Sequence, residues 1–200
     1  MKRIFLTTAL FWLVFTCGSH AQNLSSGLGT FERATLSIVN WIKSVSRSLD
    51  DFVVKEKRSQ FLERLHDLNE SLYKVETAKR ALLADMKQTT NSSVELNRTR
   101  FIAEDLRQQI FHLRRSIHEV AVLLREEFQS GGLKVEELLS STTDEKESWL
   151  DAFTHPTGEK WTNNPQLRAQ LIARGEKAVG SLRNASLELA KLKQRLSPQD

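Results

Sequence analysis

From residue 30 onward, apolar side chains recur in steps of three and four, which places them along one side of an α-helix. Between Ser59 and Thr89 the positions Phe61, Leu65, Leu68, Leu72, Val75, Leu82 and Met86 form a heptad seam with one gap, at Lys79. Such a seam belongs to helices that pack nearly parallel or antiparallel to one another. A lysine in the gap reads as a register-setting or partner-docking residue, or as a snorkelling side chain. In the snorkelling case the stem lies on the seam and the ammonium reaches water.

Thr90-Asn91-Ser92-Ser93 has turn chemistry, and Ser92 or Ser93 can cap the next helix. That helix is expected over Val94 to Gln129, with Leu96, Thr99, Ala103, Leu106, Ile110, Leu113, Ile117, Val120 and Leu124 on its seam. Phe101, Ile102, Phe111, Val122 and Leu123 widen the stripe, as suits a helix with more than one neighbour. Gly131-Gly132 is read as its terminator.

The last helix is announced by Asn164-Pro165, an N-cap with proline in the first turn. Its seam is Leu171, Gly175, Ala178, Leu182, Ala185, Leu189, Leu192 and Leu196, with small residues that let a neighbour come close. An earlier segment repeats the rhythm with Phe31, Ile38, Ile42, Val45, Leu49 and Phe52. Phe52 and Phe61 cannot share one strict seam, so a turn near Lys55 to Arg58 is expected in preference to one long helix. The three long helices, of roughly 31, 36 and 32 residues, would run about 46, 54 and 48 Å at 1.5 Å per residue. No segment alternates as a strand does. The predicted fold is all-α: an elongated antiparallel helical bundle of three long helices and a shorter N-terminal one, with a short helix and loop before the last.

The first residues are patterned differently. Met1-Lys2-Arg3 is a basic head, Ile4 to Cys17 a short apolar core, and Ser19 and Ala21 supply the small residues of a cleavage site before Gln22. Residues 1–21 therefore read as an export signal, 22–29 as a polar lead-in and 30–200 as one domain. The apolar run is shorter than the roughly 20 residues of a membrane span. Val14 to Cys17 resembles a bacterial lipobox, from which Val14 and Thr16 both depart. Acylation at Cys17 is thus the alternative to cleavage after Ala21.

Charge and cysteine narrow the functional classes. The 200-residue chain carries a formal charge of +4; loss of Lys2 and Arg3 with the signal leaves +2. Nothing here is the concentrated basic footprint that nucleic acid requires. Cys17 is the single cysteine, so a chain cut at Ala21 has no disulfide, thiolate nucleophile or cysteine-held metal. Five Asn-x-Ser/Thr sequons, at Asn23, Asn69, Asn91, Asn97 and Asn184, read as solvent-facing asparagines near a hydroxyl residue.

Glu63 and His66 form a Glu-x-x-His step, half of the di-metal signature of some bundles. With Phe61 at zero on a helical wheel, Glu63 falls at about 200° and His66 at about 140°, away from the seam. No second copy of the step occurs, and His112 and His118 flank the next seam from opposite sides. A metal site is not expected. The chain also lacks a Gly-x-Ser-x-Gly elbow and a phosphate-cradling glycine loop.

Residues 130–164 interrupt the regular pattern. Thr142-Thr143-Asp144-Glu145 fits a capping box for a short helix through Phe153, and His155 to Gly158 reads as a turn. Residues 133–164 have a net charge of −4 and residues 165–200 a net charge of +4. One reading makes the aromatic residues a lid on the bundle end, with the acidic segment against basic helix flanks. The other makes Trp149, Phe153, His155 and Trp161 a partner or ligand surface.

The expected protein is an exported, non-enzymatic helical bundle that acts through protein–protein contact as scaffold, adaptor or envelope-associated factor. It would use no cofactor and no nucleic acid, and would meet a membrane only through a lipidated Cys17 or an uncleaved signal. Self-association is compatible with these helices. The alternative is an extracytoplasmic small-ligand or sensor-like bundle with a pocket near residues 149–161. An enzyme using His155 with Asp151 rests on sequence proximity alone.

Overall fold

A computed structural model of the chain describes residues 29–47, 57–89, 92–143, 150, 153 and 161–196. The export signal, Cys17, the lead-in before residue 29, and Leu49 and Phe52 lie outside the described residues. The described part is all-helical, without strands. Its five helices form a bundle: α1 (29–47), α2 (Arg58–Gln88), α3 (Ser93–Ala121), α4 (Glu126–Thr143) and α5 (Pro165–Leu196). None of them is long and apolar enough to cross a membrane.

The seams form the core. Every predicted seam residue of α5, from Leu171 to Leu196, is buried, as are all seven apolar seam positions of α2. Each large aliphatic side chain taken from water in this way contributes on the order of 1.5–3 kcal/mol. Two starts follow the capping rules. The Ser92 hydroxyl accepts from Glu95 N–H at 3.2 Å, and the Asn164 side chain accepts from Leu167 N–H at 3.0 Å.

Side-chain contacts set the order of the helices. α2 meets α3 at Arg64–Glu119, Ser71–Ser116 and Asp85–Arg98, so residue numbers fall along α3 as they rise along α2. The same holds for α2 and α5 at Arg58–Leu196, Glu76–Arg183 and Lys87–Glu176. Beside α5, by contrast, α1 runs with rising numbers on both helices, through Glu32–Lys177 and Ser46–Arg195.

The turn expected near residues 55–58 lies partly outside the described residues, but α1 and α2 lie side by side. Phe31 lies 5.5 Å from the Lys79 ammonium, whereas 48 residues of unbroken helix would separate them by about 72 Å.

Two boundaries differ from expectation. The third helix ends at Ala121, ten residues before the glycine pair, through a turn at Val122 to Arg125 that buries Leu123 and Leu124. Gly131 and Gly132 lie inside α4, and no described glycine has a positive φ. Their role is close approach. A Cβ on Gly132 would stand 2.6 Å from Ala121 Cβ and 2.9 Å from Trp41 Cζ2, and one on Gly131 would stand 3.0 Å from Trp41 Cδ1. The Trp41 indole lies in the space this leaves and donates to the Phe128 carbonyl at 3.2 Å. Thr142 and Thr143 are the last described residues of α4, buried, with hydroxyls donating back to Leu139 O at 2.7 and 3.4 Å. The short helix expected beyond them falls on residues mostly outside the described set.

Lys79 is the third departure. It is 1% exposed, so its ammonium does not reach solvent. Gly175 on α5 makes the room: a Cβ there would lie 3.1 Å from Lys79 Cε and 2.5 Å from Leu83 Cδ2. Burial pulls the Lys79 ammonium down from 10.5 to about 7.

Candidate interaction surface

α3 has a neighbour on each flank and none outside among the described residues. On the α2 side, the Ser71 and Ser116 hydroxyls are 2.8 Å apart, and Arg64 reaches Glu119 at 3.4 Å. On the α4 side, Glu136 sits 2.9 Å from His118 Nδ1 and 3.9 Å from Arg114. The face opposite Leu106 is left to solvent. It carries Val94 (77% exposed), Phe101 (78%), Phe111 (51%) and Val122 (41%).

The helical pattern assigns Phe101, Phe111 and Val122 to a widened buried stripe, and the structure corrects this. Ile102 is partly buried and Leu123 fully so, but these three are not covered. The reason is tertiary. α4 has 18 residues against 29 in α3, and it joins from one flank, so it does not wrap over the outer face. Single exposed hydrophobics are ordinary on a protein surface; two phenylalanines and two valines on one outward helical face are a surface with a direction.

Polar groups frame these residues. The Arg114 guanidinium lies 5.8 Å from the Phe111 ring centroid, and the His112 ring meets it edge-on at 6.1 Å. Between α2 and α3 runs an open groove of about 330 Å³ that includes Arg64, Asp67, Lys74, His112 and Arg115. Its charges are mostly matched: Arg64 with Asp67 at 3.0 Å, Arg115 with Glu119 at 2.9 Å, and Lys74 with Glu70 at 2.6 Å. The Lys74 hydrogen bond and charge hold the Glu70 carboxyl below its usual range. Such exposed pairs are worth little to stability, so they can exchange partners at low cost.

At the turn between α2 and α3, a buried polar cluster stiffens this frame. The Asp85 carboxylate binds Arg98 Nε and lies within hydrogen-bond reach of the Thr89 and Thr99 hydroxyls. Glu76, also largely buried, is shared by Arg80 and Arg183 and ties α2 to α5.

The residues singled out from the sequence are placed elsewhere. Phe153 and Trp161 are buried, with ring centroids 5.3 Å apart and tilted by 51°, and the Arg168 guanidinium lies 5.9 Å from the Trp161 ring. Trp149, His155 and Asp151 lie outside the described residues. Glu63 and His66 are exposed, on the outward side that the helical wheel gives, with Lys193 Nζ 3.4 Å from His66 Nδ1. Among the described residues no three His, Cys, Asp or Glu side chains converge as metal ligands would. No protein-family profile, curated protein or solved structure matches the chain.

Proposed function

We infer that this protein is an exported, non-enzymatic helical bundle that works through protein–protein contact, as a scaffold, adaptor or envelope-associated factor. The observation that carries the reading is the outer face of α3, where Phe101 and Phe111 stand 78% and 51% exposed on a helix anchored along both flanks. Aromatic anchors on a rigid element cost little ordering entropy when a partner covers them, and they are over-represented among binding hot spots. The elongated antiparallel layout belongs to the same proposal. The opposed numbering of α2 with α3 and with α5 supports it, while α1 lies with α5 in a common direction. Export rests on the pattern of residues 1–21 alone.

Affinity capture with cross-linking from the native source tests the reading. The wild-type chain is expected to recover a reproducible partner that a Phe101→Ser, Phe111→Ser variant of equal stability loses. Equal recovery by both proteins removes α3 from the proposal, and repeated recovery of nothing removes the contact function itself.

A further inference from the structure

The outer face of α3 is a second heptad seam. Val94, Phe101, Gln108, Arg115 and Val122 follow one another at intervals of seven, and Asn97, Glu104, Phe111 and His118 fill the alternate line; all are exposed. From Val94 to Val122 the seam is about 42 Å long, a helix face fit to meet another helix. The polar members of this seam are not placed at random. On the seam and beside it the charges alternate along α3: Arg98 and Arg100, then Glu104 and Asp105, then His112 and Arg115, then Glu119.

Laid beside itself in the same direction, the seam sets Glu104 against Glu104 and Arg115 against Arg115. Laid in the opposite direction, with a two-fold axis at the level of Gln109 and Ile110, it sets Glu104 against Arg115 of the second copy. Asp105 then lies alongside His112 of the second copy. Phe101 comes between Arg115, His118 and Val122 of the second copy, where a guanidinium can lie over its ring. Symmetry makes each of these contacts twice, as a two-fold interface requires. Arg107 and Arg114 fall on one flank in this register, but they are only 26% and 24% exposed and turn toward the α4 side.

Shifting the register by one heptad toward the start of α3 brings Asp105 toward Asp105 of the second copy and parts Glu104 from Arg115, so charge selects the first arrangement. The groups it needs are available. The Glu104 and Arg115 side chains are 50% and 73% exposed, and their intrahelical bonds to Arg107 at 3.5 Å and Glu119 at 2.9 Å are of the weak, exchangeable kind.

We propose that the partner of this face is a second copy of the chain, with α3 pairing antiparallel to α3 across a two-fold axis. This rests on the reading that α3 is a contact surface and names what it contacts.

The test is the mass of the chain in solution, by light scattering and sedimentation from sub-micromolar to near-millimolar concentration, for wild type, Glu104→Arg, Arg115→Glu and their mixture. Wild type is expected to reach twice the single-chain mass. Each swap alone places like charges opposite each other twice and should raise the dissociation constant by about tenfold or more. In the mixture, each variant's new charge meets its opposite on the other variant across the axis, and the two unaltered positions face each other as before. The double mass should therefore return. Phe101→Ser, which alters no charge, should also weaken pairing.

A wild-type chain that stays single throughout overturns the proposal, as does a dimer indifferent to these substitutions or a mixture that fails to re-pair. A single chain that still captures another protein through Phe101 and Phe111 would leave the contact function standing and remove only self-pairing.

Discussion

Replacing Lys79 with methionine, which has a similar volume and no charge, should make the protein more stable. In the folded chain the Lys79 ammonium is pulled from 10.5 to about 7 by burial among Phe31, Leu83 and the α5 backbone at Gly175. Each unit of such a shift corresponds to about 1.4 kcal/mol, so carrying a lysine here costs up to about 5 kcal/mol at neutral pH. That figure is an upper bound, because relaxation and water penetration reduce it. The pH dependence follows from its sign. As pH falls from about 10.5, the unfolded chain takes up the proton first, so wild-type stability declines until the folded group titrates near 7, and levels off below.

The methionine variant lacks this dependence. Urea denaturation of both proteins between about pH 6 and about pH 10 should show a gap of several kcal/mol at the acid end. It should narrow by up to about 1.4 kcal/mol per pH unit above about pH 7. Titration of every other group is common to the two proteins and cancels in the difference. A gap constant with pH, or a methionine variant less stable than wild type at neutral pH, would refute a desolvated ammonium at this position.

Three further outcomes are expected. Gly132→Ala should destabilise by roughly 1–3 kcal/mol through its clash with Trp41 and Ala121, while Gly180→Ala, with nothing within 4 Å of a new Cβ, should stabilise by about 0.5–1 kcal/mol; denaturant midpoints compare them. Asp85→Ala removes the acceptor for Arg98, Thr89 and Thr99 and should cost about 1–3 kcal/mol, with faster amide exchange at the start of α3. Asn164→Ala should cost about 1 kcal/mol by removing the cap on Leu167 N–H, measured by thermal unfolding.

The seams are legible in the sequence because burial on a helix follows a fixed angular period. Leu171 to Leu196 and Phe61 to Met86 need no other information. What local pattern cannot carry is the identity of the neighbour. The gap at Lys79 is visible, but its burial depends on Phe31 and Gly175, which lie 48 and 96 residues away in sequence. Gly131-Gly132 carries the local signature of a helix stop, yet the space it leaves is occupied by an indole from α1. The exposure of Phe101 and Phe111 is hidden for a related reason. An apolar residue beside a seam looks the same in sequence whether or not a further helix arrives to cover it.

The placement of α1 bears on the order in which the nascent chain can acquire its structure. Synthesis produces α1 before the other four helices, but the groups it meets come later in the chain: Lys79 of α2 at Phe31, the Phe128 carbonyl of α4 at Trp41 and Arg195 of α5 at Ser46. A polypeptide growing from its N-terminus therefore carries the apolar face of α1 incompletely covered until later helices are made, and exposed apolar surface of that kind favours aggregation and chaperone capture. α2, α3 and α4 can pack in the order of their synthesis, each against the one before, whereas α1 completes its contacts only when Arg195, near the end of α5, has been made.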